Sequence, residues 1–177
     1  MDKCLGTHGY SNFPTRITIT AIEVTSSSKM KLLPIKPSIE ENPDFSANPD
    51  CDETLGVCVQ YYDLVGYNPP WICYYAEVNG QIVGTGGYKG QPVDGKVEIA
   101  YGTFEIHQNQ GFGSMICKEL TTLALMTAPL TKVSALTLPE HNYSTRILEK
   151  NGYAFTGVVE DPEDGKVWEW TFAGFDR

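Results

Sequence analysis

The hydrophobic period of this chain changes abruptly after Phe104, and the six residues at that change constrain the fold most. From Ile72 to Phe104 the apolar residues run as in half-buried strands. Ile72 to Val78 and Gln81 to Tyr88 flank Asn79-Gly80, a dipeptide that tolerates positive φ at both positions and so predicts a tight hairpin. Val97 to Phe104 follows the Pro92-Val93-Asp94-Gly95 turn as a third strand. Past His107, Ile116, Leu120, Leu123 and Ala124 fall at i, i+4, i+7 and i+8, the stripe of a helix that ends before Pro129. Between the two patterns stands Gln108-Asn109-Gln110-Gly111-Phe112-Gly113. Glycines let backbone N–H groups approach an anion closely, and the start of a helix adds unpaired donors and the positive end of its dipole. By itself the turn reads either as a pyrophosphate cradle or as a plain strand-to-helix connection. It is a poor dinucleotide motif, whose third glycine would fall on Ile116, and no Gly-Lys-Ser/Thr follows to make a nucleotide P-loop.

The segments around this turn set the architecture. Val133 to Leu138 predicts a strand reached from Val97 to Phe104 by a helical crossover, hence parallel to it. Ser144 to Lys150 predicts a short helix closed by Asn151-Gly152, and Tyr153 to Val159 with Lys166 to Phe172 a last hairpin around Asp161-Pro162-Glu163-Asp164-Gly165. The order is β-β-β-α-β-α-β-β. Upstream, Leu55, Cys58, Val59 and Tyr62 mark an amphipathic helix that stops near Gly66 and Pro69-Pro70. Glu40 to Glu53 holds six acids, no base and two prolines, and reads as a solvated loop. Residues 1–29 read as an N-terminal extension with one alternating stretch, Arg16 to Val24; residues 30–177 read as a single domain.

Composition narrows the function classes. With 177 residues and 41% apolar content the chain can bury one sizeable core. A net charge of -9 works against nucleic acid and anionic membrane as partners and weakly favours a cationic one. Five cysteines, odd in number and without paired spacing, point away from a disulfide framework or a structural zinc site and toward a reducing compartment. With neither a membrane-length apolar run nor a signal-peptide pattern, a soluble cytoplasmic protein is expected.

Gln108-x-x-Gly111-x-Gly113 resembles the Q/R-x-x-G-x-G/A signature of the GNAT superfamily of N-acyltransferases. The strand Val97 to Phe104 before it suits the family. Ser144-Thr145-Arg146-Ile147-Leu148-Glu149-Lys150-Asn151-Gly152-Tyr153 resembles the S-x-R-V-L-E-K-x-G-F segment of its ribosomal-protein N-terminal acetyltransferase branch. Asp161 to Trp170 matches an ending common among uncharacterised relatives of that branch. The likeness is good over about residues 71 to 172, loose over 30 to 70, and absent before that. It implies a mixed α/β (α+β) fold: a mostly antiparallel sheet, splayed at a central parallel pair and flanked by helices. It also implies acetyl-CoA as co-substrate, with Gln108, Asn109, Gln110, Gly111, Phe112, Gly113 and Ser114 at the pyrophosphate and Tyr101, Gly102, Thr103 and Phe104 pairing with the pantetheine arm. Asn142, or His141 beside it, would hydrogen-bond that arm. No metal is called for.

Acetyl transfer to an amine needs a neutral nucleophile, a polarised thioester carbonyl and help for the departing thiolate. Glu98, among Val97, Ile99 and Ala100, is the candidate base, because partial burial would raise its pKa. A carboxylate that merely orients substrate is the competing reading. The wider superfamily commonly places an acidic tyrosine where this chain has Leu148, so Ser144 is the candidate to serve the thiolate, against a plain helix N-cap. Tyr61, Tyr62, Tyr67 and Trp71 lie where the fold lines its acceptor cleft, although core burial explains Tyr62 and Trp71. Trp168, Trp170 and Phe172 share one strand face and read as core, and Cys117 reads as packing. The expected acceptor is a small amine or a protein N-terminus, reached by direct transfer, and a homodimer is compatible with the sequence. The rival from another class is a non-catalytic acyl-CoA-binding module.

Overall fold

The computed structural model describes residues 29–175, so the stretch Arg16 to Val24 lies outside it. In chain order the elements are β1 (Lys31–Pro34), α1 (Pro43–Ser46), α2 (Asp52–Val65), β2 (Cys73–Val78), β3 (Gln81–Tyr88), β4 (Lys96–Thr103), a 3-10 turn (Glu105–His107), α3 (Phe112–Thr127), β5 (Lys132–Thr137), α4 (Tyr143–Lys150), β6 (Tyr153–Asp161) and β7 (Gly165–Phe172). Seven strands make one sheet in the order β1-β2-β3-β4-β5-β7-β6. Every neighbouring pair is antiparallel except β4 and β5. That single parallel pair follows from the connection: a strand that returns through a helix lying on one face of the sheet re-enters in the same direction. Among the described residues no helix is long and apolar enough to cross a membrane.

Helices cover both faces. The face carrying Val97, Ile99 and Tyr101 receives α3, whose Ile116, Leu120 and Ala124 are fully buried. Tyr88 Oη donates to the Leu120 carbonyl at 2.7 Å, pinning the helix across β3. The other face receives α2, tied by Tyr75 Oη to the Cys51 carbonyl at 2.8 Å, while Tyr62 Oη donates to the Ile35 carbonyl at 2.8 Å. At the β2–β3 turn Asn79 (φ 52) and Gly80 (φ 80) are both left-handed, as the hairpin requires.

The approach of α3 depends on one missing side chain. A Cβ added at Gly86 would stand 2.7 Å from Ile116 Cγ2 and 2.8 Å from Leu120 Cδ1. Gly86→Ala therefore forces the helix that opens at the glycine turn off the sheet. We expect it to cost about 1–3 kcal/mol, read as a lower denaturation midpoint in urea.

Two expectations are corrected. The acidic segment Glu40 to Glu53 is not merely solvated: Asn42 is 3% exposed, accepts the Lys36 N–H at 3.0 Å and donates to the Lys36 and Ser38 carbonyls. Here α1 sets Phe45 against Tyr75, with ring centroids 4.6 Å apart. Glu40, Glu41, Asp44, Asp50 and Glu53 sit outward while an amide that can both donate and accept holds the loop from within. Of the β7 aromatics only Trp170 is buried, its Nε1 donating to Thr137 Oγ1 at 3.0 Å. Trp168 is half-buried, packed on His141 and on the half-exposed Phe155 of edge strand β6.

Candidate active site

The sheet opens at its parallel pair. β4 and β5 are in register only at Lys96–Lys132, Val97–Val133 and Glu98–Ser134. Beyond Glu98 they part, while β4 stays paired to β3 through Thr103 and β5 stays paired to β7. Lys89 N donates to the Glu98 carbonyl at 2.9 Å and Phe104 N to the Val83 carbonyl at 3.1 Å. Main-chain groups alternate in direction along a strand, so Glu98, Ala100, Gly102 and Phe104 face β3 and Ile99, Tyr101 and Thr103 face the gap. An extended amide chain could pair with those three. The expected pairing along Tyr101 to Phe104 is thus reduced to alternate residues. The Phe104 amide is already engaged, and its ring leans on Tyr75, with centroids 6.5 Å apart.

At the far end of the gap the glycine turn takes the shape its residues allow. Asn109 (φ 60) and Gly111 (φ 84) are left-handed, and α3 starts at Phe112 without a side-chain cap. The first amides of the helix, at Phe112, Gly113 and Ser114, have no carbonyl one turn behind them. A Cβ at Gly111 or Gly102 would meet nothing within 4 Å, whereas one at Gly113 would meet Ile147 Cδ1 at 3.0 Å and Thr103 Oγ1 at 3.2 Å. Open space lies above the first two glycines; the third lets α3, α4 and β4 converge.

The result is a cleft of about 560 Å³. Of the residues expected at the cofactor, Tyr101, Gly102, Thr103, Gln108, Asn109, Gly111, Phe112, Gly113 and Ser114 line it, joined by Ser144. Phe104, Gln110 and Asn142 do not; Gln110 folds back to donate to the Ile106 carbonyl at 3.2 Å, and Asn142 lines the adjoining space instead. Ser114 Oγ accepts from Asn151 Nδ2 at 2.9 Å, which ties the start of α3 to the end of α4. Residue reading missed Arg146 and Lys150. Their i, i+4 spacing on one face of α4 was the available signal, and in the fold both turn into the cleft. In a chain of net charge -9, this cleft is lined by two cations, a histidine and no carboxylate.

The start of α4 separates two roles that the sequence had merged at Ser144. The N-cap is Asn142: its Oδ1 accepts from Ser144 N at 2.9 Å and Thr145 N at 3.2 Å, and Thr145 Oγ1 accepts from Asn142 N at 3.0 Å. Ser144 is left with no capping task, its exposed hydroxyl free of protein partners among the described residues and lining the cleft. The Asn142 oxygen, by contrast, is occupied by the cap, which leaves only Nδ2 for any other partner. His141 lies against Trp168, ring centroids 5.0 Å apart, and lines neither the cleft nor the hollow beside it. Asn142→Ala should destabilise by about 0.5–2 kcal/mol in urea unfolding and fray the turn that presents Ser144.

Across Tyr101 and Ser144, which line both spaces, the cleft continues into a hollow of about 340 Å³. Glu98 lies here, half-buried, with Lys89, Asp161, Glu163 and Asp164 around it. Burial pushes the Glu98 carboxyl above its ordinary range; Lys89 opposes the shift and Asp161 adds to it. Leu148 is 1% exposed and lines the hollow without offering a proton. Cys117 is fully buried on α3, its thiol pushed up to about 12 mainly by burial, which fits packing and not acyl transfer.

Known proteins bear on this geometry in three ways. Solved structures share the fold at low identity. A ribosomal L7/L12 alpha-N-protein acetyltransferase, RimL, in complex with coenzyme A superposes with a TM-score of 0.59 at 13% identity, over 82% of this chain and 94% of that one. A spermidine N-acetyltransferase chimera from Vibrio cholerae and hSSAT gives 0.61 at 11% identity, over 82% and 95%. A putative GnaT-family acetyltransferase from Bordetella pertussis gives 0.57 at 17% identity, over 81% and 95%. No curated protein matches the sequence. The family model of the acetyltransferase (GNAT) domain matches residues 41–154, more than half of the chain, from just before α1 through the glycine turn to the start of β6. A split parallel pair with an anion-suited turn at its mouth is therefore no isolated coincidence of shape: the protein belongs to the GNAT acetyltransferases.

Proposed function

We propose that the protein transfers an acetyl group from acetyl-CoA directly to a primary amine in a ternary complex. One observation carries this reading: the cation-lined cleft and the carboxylate-lined hollow meet at Tyr101 and Ser144, so a donor and an acceptor entering from opposite sides would touch there. Amides at the start of α3, with Arg146 and Lys150, suit a pyrophosphate. The gap-facing edge of Ile99, Tyr101 and Thr103 suits the amides of a pantetheine arm.

Chemistry follows from what each side chain can exchange. Glu98, directly or through a water, first takes a proton from the acceptor ammonium and passes it to solvent; the neutral amine then bonds to the thioester carbonyl carbon, and its nitrogen gives up a second proton to Glu98. The C–S bond then breaks, and Ser144 Oγ–H donates to the departing sulfur while recovering a proton from solvent at the open cleft. The products are an N-acetyl amine and a free thiol, so protons balance with no oxidant or metal. An α-amine needs less help than a lysine amine, whose ordinary pKa is about 10.4. Four free thiols among the described residues support a reducing, cytoplasmic setting.

Release of free thiol from acetyl-CoA, followed with a panel of primary amines, tests the proposal. We expect amine-dependent release. Binding of acetyl-CoA with no turnover on any amine, unchanged by Glu98→Gln, would favour the non-catalytic module, the reading that Leu148 keeps open.

A further inference from the structure

Resting on that reading, we infer that the acceptor is a primary amine carried on an apolar aliphatic or aryl body and bearing no carboxylate of its own. The hollow around Glu98 runs on into a third depression of about 400 Å³ between α2 and the sheet; Lys89, Ala100 and Tyr101 line both. The two ends of this groove differ in chemistry. At the inner end, Glu98 faces Asp161, Glu163 and Asp164 of the β6–β7 turn, and Lys89 is the sole cation among the described residues lining it. The turn is held in place by the Glu163 and Asp164 amides, which donate to Asp161 Oδ1 at 2.9 and 3.0 Å. An ammonium is drawn to such a wall and an acceptor carboxylate is repelled by it.

At the outer end no carboxylate lines the depression. Val57, Cys58 and Tyr61 of α2 form its wall, over a floor that Gly102 leaves bare of a side chain. Lys89 Nζ stands 5.6 Å from the Tyr61 ring centroid, at the junction of the two ends. After burial, the charges of Glu98, Cys73 and Glu163 help to raise the Tyr61 phenol, in keeping with an aromatic wall that adjoins the carboxylates. A free amino acid would bring its carboxylate against Glu98 and the turn. A long polyamine would leave Val57, 64% exposed, uncovered.

The test compares thiol release at saturating acetyl-CoA for phenethylamine, hexylamine, phenylalanine, spermidine and a short peptide with a free N-terminus. A parallel thermal-shift titration with acetyl-CoA monitors the donor site. We expect kcat/KM for phenethylamine to exceed that for phenylalanine by about a hundredfold, the added carboxylate being the only difference. Tyr61→Ala should lower kcat/KM for phenethylamine by about tenfold through KM, leaving the acetyl-CoA shift in place. The double variant Glu163→Gln with Asp164→Asn, on an exposed turn, should narrow the gap between phenethylamine and phenylalanine. An intact acetyl-CoA shift with phenylalanine, spermidine or the peptide preferred, or with Tyr61→Ala neutral, overturns this inference alone; an intact shift with no amine used overturns the proposed transfer too. Loss of the acetyl-CoA shift in the wild-type protein overturns the donor reading as well.

Discussion

Gly111→Asp should abolish acetyl-CoA binding while the protein remains folded. Position 111 is left-handed and strains any side chain, but aspartate is among the few residues that enter that region; it is also a preferred capping side chain, which α3 now lacks. A Cβ there meets nothing within 4 Å, so no packing is lost. What changes is charge: a carboxylate would stand over the amides of Phe112, Gly113 and Ser114, where two linked phosphates are proposed to sit. Wild-type protein with acetyl-CoA at 100 times its dissociation constant should gain about 2.7 kcal/mol, a rise in melting temperature of about 5–10 °C for a chain of this size. The variant should melt near the apo wild type and show no rise. A full rise in the variant would remove the phosphates from the turn.

Glu98→Gln should lower kcat/KM for the amine by about 10²–10⁴-fold, the range of general base catalysis, and leave acetyl-CoA affinity unchanged. The pH profile separates a base from a carboxylate that only orients. The groups acting on Glu98 are Lys89 and Lys96, which favour its ionised form, and Asp161 and Glu169, which oppose it, all secondary to burial. A raised pKa means that the active, ionised form appears only above the ordinary carboxylate range. Activity should therefore climb with pH through that raised value in the wild type, and this limb should vanish in Glu98→Gln. The sign for stability is the reverse: a raised folded-state pKa makes its contribution below the unfolded pKa and loses it as pH rises through the folded value. At neutral pH the ionised carboxylate is the less comfortable form, so the glutamine variant should unfold no more easily than the wild type. A pH profile identical in both proteins would remove Glu98 from proton transfer.

The strands from Ile72 to Thr103, the hairpin at Asn79-Gly80 and the parallel neighbour at β5 were all legible from alternation and connection length. Local rules suffice there, since a half-buried strand must alternate and a crossover helix must bring its next strand back parallel. The glycine turn was legible for the same reason. Positive φ at Gly111 and a helix that begins without a cap are properties of a few consecutive residues.

Where side chains from distant segments meet, local rules gave out. Ser144 looked like a cap until α4 began one residue earlier and Asn142 took that task. Phe104 looked like part of a pairing edge, but edge direction depends on which neighbour strand a residue faces. Arg146 and Lys150 reach the glycine-turn cleft, and Tyr61 lies on a groove continuous with that of Glu163, only because the sheet brings segments far apart in the chain within reach. Short-range sterics and hydrophobic period thus specify elements, their order and the anion-suited turn. The charge on each wall, and which hydroxyl or carboxylate lies at the meeting point of two cavities, are settled by long-range packing, whose partners no local window contains.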